Sequence, residues 1–197
     1  MAKEPVDRRE RILLSAATLF ARRGVAATTV REIADEVGIL SGSLYHHFES
    51  KEAIVDEVIS SYLEDLRSRY KQVLTRDLDP RTRLHDLVVA SLEVAEAHPH
   101  ATEIYQNDVN YLSRIERFSY LKGAGKEVQS TWLEVINAGI SQKVFREDLD
   151  PKILYRLMRD SVWLSVRWFK PTRDYPISRL AEDCTSLFID GLARPLD

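Results

Sequence analysis

The sequence predicts an all-α fold, and three observations carry that prediction. Apolar residues recur at three- and four-residue steps along nearly the whole chain. No sustained two-residue alternation and no Asn-Gly hairpin signal occurs. Starts are punctuated by Asp-Pro pairs, and the 7 glycines are too few for the turns of an all-β protein.

The first helix spans about Asp7 to Arg23, with Ile12, Leu13, Ala16, Leu19 and Phe20 on one stripe. Arg22 and Arg23 fall in its last turn, where cations suit the helix dipole, and Gly24 is a natural stop. Thr29 and Glu32 have the spacing at which each side chain satisfies a backbone donor of the other, so a second helix starts there. Val30, Ile33, Ala34 and Val37 face inward, and Gly38 ends that helix. A short third helix covers about Ser41 to Phe48, with Leu44 and Phe48 buried together. Ser50 caps a long fourth helix reaching about Leu74.

Asp79-Pro80 and Asp150-Pro151 each read as an N-cap followed by proline in the first turn. His98-Pro99 and Tyr175-Pro176 mark further starts. Helices are thus expected over about Pro80–Ala97, Pro99–Leu112, Gly125–Gln142, Pro151–Phe169 and Pro176–Gly191; residues 113–124 carry no clear element. The boundary between an N-terminal unit and a larger second part falls near the start of the fourth helix, giving domains at 1–52 and 53–197.

Bulk properties narrow the function. The net charge of −3 rules out a generally basic nucleic-acid binder, so any DNA contact needs a local patch. The first 51 residues hold 8 of the 28 Lys and Arg and 7 of the 31 Asp and Glu, a net of +1 against −4 for the rest. With Cys184 as the only cysteine, no internal disulfide forms, which suits a reducing cytoplasm. No apolar run reaches the roughly 20 residues of a membrane span, and the polar N-terminus is not a signal peptide.

The stretch Gly38–Lys51, "GILSGSLYHHFESK", joins two angled helices through a glycine turn, the arrangement of a helix-turn-helix. Its second helix would place its first residues at the major groove. With Leu44 and Phe48 inward, the outer face presents Gly42, Ser43, Tyr45 and His46. Ser41 and Ser43 suit base edges or phosphates, and Lys51 at the next helix start suits a phosphate. Packing alone is the competing account of Tyr45 and His47. His46 and His47 are adjacent and diverge around a helix, so they make a poor metal pair, and no metal is expected.

In the second part, the last two helices are apolar nearly all round, with Ile153, Leu154, Leu157, Met158, Val162, Trp163 and Leu164 in one and Leu180, Leu187, Phe188 and Ile189 in the other. Such helices are buried on more than one side. Along the penultimate helix Arg156, Arg159, Asp160, Trp163 and Arg167 are spaced by three, one, three and four, so they share a face. That face suits a flat, anionic group stacked on tryptophan, and equally a solvated or interfacial row of ordinary charge pairs. The Pro99–Leu112 helix adds Tyr105, Gln106, Asp108, Asn110 and Tyr111. No nucleophile–base pair or phosphate loop is evident, so an enzyme is not expected, and Cys184 lies on an apolar stripe.

"TTVREIADEVGILSGSLYHHFESKEAIVDEV" resembles the DNA-binding domain of the TetR family of bacterial regulators, from about Ile12 to Val58. The resemblance implies a TetR-like fold, in which an N-terminal helix-turn-helix domain precedes a helical ligand-binding and dimerisation domain. It implies groove or base contacts from Ser41, Gly42, Ser43 and His46, phosphate contacts from Thr29, Tyr45, His47 and Lys51, and a base or backbone contact from Arg31. It also implies a homodimer on a double-stranded palindromic operator, with the last two helices facing the second copy. Further segments, "EIYQNDVNYLS", "VINAGI" and "RDSVWLSVRWFKP", resemble TetR-type actinobacterial repressors of late cholesterol-ring catabolism. On that resemblance the effector is a coenzyme A thioester of a steroid ring fragment. Arg159, Trp163 and Arg167 would contact it, with Tyr105, Gln106 and Tyr111 lining its pocket. The alternative is a TetR-type sensor of another lipophile, such as a cationic efflux substrate, for which Asp108 and Glu134 offer carboxylates.

Overall fold

The computed structural model describes residues 7–192, of which the side chain of the last is not described. The described chain is helical and holds no strand. Its helices are α1 (Arg8–Arg23), α2 (Val30–Val37), α3 (Ser41–Leu44), α4 (Lys51–Thr75), α5 (Pro80–Ala97), α6 (Pro99–Leu112), α7 (Leu121–Ser141), α8 (Pro151–Trp163) and α9 (Ile177–Leu192). Two 3-10 turns, Glu116–Phe118 and Leu164–Arg167, follow α6 and α8.

The chain forms two compact units. The first joins the chain up to Tyr62 with His100–Leu121, and the second joins Leu63–Pro99 with the chain from Lys122 on. Helix α4 therefore contributes its first half to one and its second half to the other.

In the first unit α1 packs on α2 and α2 on α3. Ile12, Ala16, Phe20, Ile33, Ala34, Leu44 and Ile54 are fully buried, each large side chain contributing on the order of 1.5–3 kcal/mol. The capping box at the start of α2 forms as expected: the Thr29 hydroxyl accepts from Glu32 N–H at 3.2 Å, and Glu32 accepts from Thr29 N–H at 2.8 Å. Gly38 closes α2 in the left-handed region, at φ 73° and ψ 39°. The third helix is shorter than its sequence suggests. One α-turn, Ser41–Leu44, is followed by i→i−3 bonds from His46 to Ser43 and from His47 to Leu44. Ser-Gly-Ser is a weak helix former, and a single turn satisfies the burial of Leu44 and Phe48.

Helix α6 belongs with this unit through polar links spread along it and beyond. His100 Nε2 lies 3.3 Å from Thr18 Oγ1, and Asp108 Oδ2 accepts from Val25 N–H at 3.3 Å. In the segment after α6, Arg117 bonds Glu49 and lies 3.5 Å from Asp56, which also accepts from Tyr120 OH at 2.8 Å.

In the second unit α5 packs against α9 and α8. Asp79 and Asp150 cap α5 and α8 as expected, accepting from Arg81 N–H at 2.9 Å and Lys152 N–H at 2.7 Å. The core holds a polar chain with no loose end. Trp132 Nε1–H donates to Tyr70 OH at 2.9 Å, Tyr70 OH lies 2.6 Å from Ser91 Oγ, and Ser91 donates to Leu87 C=O at 2.7 Å. Burial pushes the Tyr70 phenol pKa up, against the two hydrogen bonds. Gly139 in α7 makes room for Phe145: a Cβ there would fall 2.1 Å from the Phe145 ring. Helix α7 begins at Leu121 rather than Gly125, because buried Leu121 and Ala124 anchor a first turn that two glycines do not break.

Candidate nucleic-acid interface and effector site

The helix-turn-helix surface divides into open and engaged side chains. Gly42, Tyr45, His46 and Arg31 are exposed, Ser41, Ser43 and His47 half-buried, and Leu44 and Phe48 buried. A Cβ built on Gly42 meets nothing within 4 Å, so no neighbour in this chain requires glycine there. Arg31 has a side chain 85% exposed and a loose 3.8 Å approach to Asp35. Thr29 is exposed but engaged, its hydroxyl also donating to Glu32 Oε2 at 2.8 Å. The Thr29 N–H, its hydroxyl and Arg23 together hold the Glu32 carboxyl below the usual carboxylate range.

Lys51 has partners that its sequence position does not announce. Its ammonium donates to Val25 C=O at 2.8 Å and to Thr28 C=O at 2.9 Å, stitching the α1–α2 turn to the start of α4. One of its three N–H groups is left for an outside acceptor. Sequence reasoning also missed Leu40, the N-cap of α3, which is 80% exposed. A second apolar residue directly after Ile39, at the junction with the Ser-Gly-Ser turn, was the available signal.

The expected effector residues lie in different units. Tyr105, Gln106 and Tyr111 are in the first. The half-buried Tyr105 ring sits 5.7 Å from the Tyr62 ring, Gln106 is half-buried, and Tyr111 is 40% exposed. Arg159, Trp163 and Arg167 are in the second, and the expected single face through Arg156, Arg159, Asp160, Trp163 and Arg167 does not form. Helix α8 ends at Trp163, and the chain continues in a 3-10 turn of about 3.0 residues per turn instead of about 3.6. Four residues then overshoot a full turn, leaving Trp163 buried and Arg167 exposed. Arg159 bonds Asp160 at 2.7 Å, and its guanidinium lies 5.7 Å from the buried Tyr155 ring. A groove of about 350 Å³ does open in this unit between α4 and α7, beside Arg67, Tyr70, Lys71 and Thr131. None of the six expected residues lines it.

Other chemistries find little support among the described residues. No three His, Cys, Asp or Glu side chains converge as metal ligands. Burial pushes the Cys184 thiol pKa up, away from nucleophilic thiolate. No described helix is long and apolar enough to cross a membrane. Burial also raises the Asp108 carboxyl pKa, opposed by the Val25 N–H.

Helix α2, the Gly38 turn and the exposed start of α3 define a helix-turn-helix regulator, completed by a helical second unit. The family models agree. That for bacterial regulatory proteins of the tetR family matches residues 12–58, and that for the tetracyclin repressor-like C-terminal domain matches residues 77–192. A curated relative, the HTH-type transcriptional repressor KstR2 of Rhodococcus jostii strain RHA1, is 45% identical over 95% of this chain and 92% of its own. The solved structure of the ketosteroid transcriptional regulator KstR2 of Mycobacterium tuberculosis superposes with a TM-score of 0.90 at 40% identity, covering 98% of this chain and 99% of that one. AibR, solved with isovaleryl coenzyme A and operator DNA, shares the fold at a TM-score of 0.78 and 20% identity, over 96% of this chain and all of its own. The chain belongs to the TetR family of bacterial transcriptional regulators.

Proposed function

We propose that this TetR-type transcriptional repressor binds a palindromic operator as a homodimer in the cytoplasm and is released by a coenzyme A thioester of a steroid ring fragment. The observation that carries the DNA half is the start of α3, where bare backbone at Gly42 stands among exposed or half-exposed polar side chains with no packing reason to be bare. Ser41, Gly42, Ser43 and His46 meet the groove. Thr29, Tyr45, His47 and the remaining Lys51 N–H meet phosphates, and Arg31 reaches base or backbone. The DNA-reading domain is residues 1–52, and residues 53–197 bind effector and second copy.

Helices α8 and α9 each keep an apolar face outward, with Ile153 53%, Leu157 62% and Leu187 73% exposed beside their buried stripes. A second copy of this chain covers such faces in a twofold arrangement. Two α3 helices then lie roughly 34–36 Å apart, one turn of DNA. The effector favours a state with another spacing, which requires that it bind the two states unequally. Arg159, Trp163 and Arg167 contact its nucleotide and ring portions, and Tyr105, Gln106 and Tyr111 line its path. The name of the Mycobacterium tuberculosis relative, a ketosteroid transcriptional regulator, supports a steroid-derived effector.

A cationic lipophile is the weaker reading. Asp108 already accepts from the α1–α2 turn, and Glu134 is exposed to solvent. The test is a mobility shift of the operator complex titrated with a steroid-fragment CoA thioester and, separately, with a cationic dye. Release by the thioester alone is expected; release by the dye alone reverses the assignment.

A further inference from the structure

We infer that Leu40 reads the methyl group of a thymine in each operator half-site, which makes it a specificity-determining residue. This rests on the reading of α3 as the helix that enters the major groove.

An exposed leucine is ordinary by itself. What distinguishes Leu40 is how completely and how rigidly it is exposed, and where. At 80% it is the most exposed large apolar side chain among the described residues. Its backbone is fixed on both sides. Ile39 N–H donates to Ala34 C=O at 2.9 Å, and Leu40 C=O accepts from Ser43 N–H at 2.9 Å. Gly38 in the left-handed region turns the chain so that half-buried Ile39 faces the core side, and Leu40, extended at φ −71° and ψ 143°, faces out. The leucine is thus presented by a braced turn at the N-cap, immediately before the helix whose N-terminal residues meet base edges.

The occupant follows from the chemistry of that groove. Its base edges offer donors and acceptors to Ser41, Ser43 and His46, and one apolar group, the C5-methyl of thymine. Leucine has no polar atom with which to read anything else. Gly42, two residues on, has open space where a Cβ would stand, so the backbone next to Leu40 does not hold the base edge away.

The experiment uses the full chain. Duplexes are selected from a random-sequence pool, and the preferred operator is remade with deoxyuridine replacing each thymine of one half-site in turn, which removes the methyl and nothing else. Affinities are measured by fluorescence anisotropy for wild type, Leu40→Ala and Leu40→Met. One thymine is expected at which uracil weakens wild type about fourfold, the scale of one buried methyl-sized group. Leu40→Ala is expected to bind thymine and uracil operators equally, and Leu40→Met to keep part of the discrimination. Since the side chain is exposed, melting temperatures should not change. A selected operator at which no uracil weakens wild type overturns the inference and leaves the proposed function standing. Discrimination undiminished in Leu40→Ala also overturns it, and leaves Leu40 to contact something other than the base. Failure to select any sequence overturns the proposed function itself, and this inference with it.

Discussion

Two helical glycines, one in each compact unit, have opposite reasons to exist. Gly139 in α7 is buried, and a Cβ there would strike the Phe145 ring at 2.1 Å. Gly42 in α3 is exposed, and a Cβ there would meet nothing. Gly139 thus satisfies the packing of its own unit, whereas Gly42, like Gly123 and Gly191 of the second unit, stands where no packing demands it. Glycine costs about 1 kcal/mol against alanine in a helix. At Gly42 that open backbone lies in the helix-turn-helix, where a partner outside the chain has room to approach it.

The same contrast runs through the polar side chains. In the second unit Arg159 pairs with Asp160, Trp163 is buried, and Trp132, Tyr70 and Ser91 satisfy one another. Directly after α3, Tyr45 and His46 face solvent.

Substitutions break or sharpen this contrast, and the largest effect belongs to the packed glycine. Gly139→Ala should overpack the second unit by about 3 kcal/mol, read as a lowered urea midpoint. A change under about 0.5 kcal/mol would mean that Phe145 moves aside freely. Tyr70→Phe comes next. It leaves the Trp132 N–H buried without an acceptor, at a cost of about 2 kcal/mol. The phenol also sets a pH signature. Its folded pKa is raised above the unfolded value of about 10, so its contribution is fully present below pH 10 and is lost as pH rises through the folded pKa. Stability should fall above pH 10 in wild type and fall less in Tyr70→Phe.

Lys51→Ala tests a residue that straddles the contrast. Two carbonyls of the α1–α2 turn lose their donor, which should cost roughly 1–2 kcal/mol of stability. Operator affinity should also fall on every sequence alike, with a salt slope smaller by about one. Lost stability with an unaltered slope would make Lys51 purely structural. The smallest stability change is the most telling in sign: Gly42→Ala should stabilise the chain by about 0.5–1 kcal/mol and weaken operator binding by ~1–3 kcal/mol.

What the sequence made legible follows the range of the interactions involved. The Thr29–Glu32 box, the Asp79-Pro80 and Asp150-Pro151 starts, the Gly38 turn and the burial of Leu44 with Phe48 all join residues within four positions, and all appear as read. The links that bind α6 to the first unit join residues as far apart as Val25 and Asp108, and no local pattern encodes them. Lys51 shows the same limit, because its position suggested a phosphate while its nearest acceptors are carbonyls more than twenty residues earlier. The α8 row failed for a different reason. The apolar period continues to Phe169, whereas the α-helix gives way to a 3-10 turn after Trp163.

The most direct test of the outward-facing α3 is selection by the full chain from random-sequence duplex DNA at about 150 mM salt. The account predicts enrichment of a palindrome with half-sites one turn apart, bound ~10³-fold or more tighter than a scrambled duplex of the same composition. Equal affinity for the selected and scrambled duplexes would contradict it.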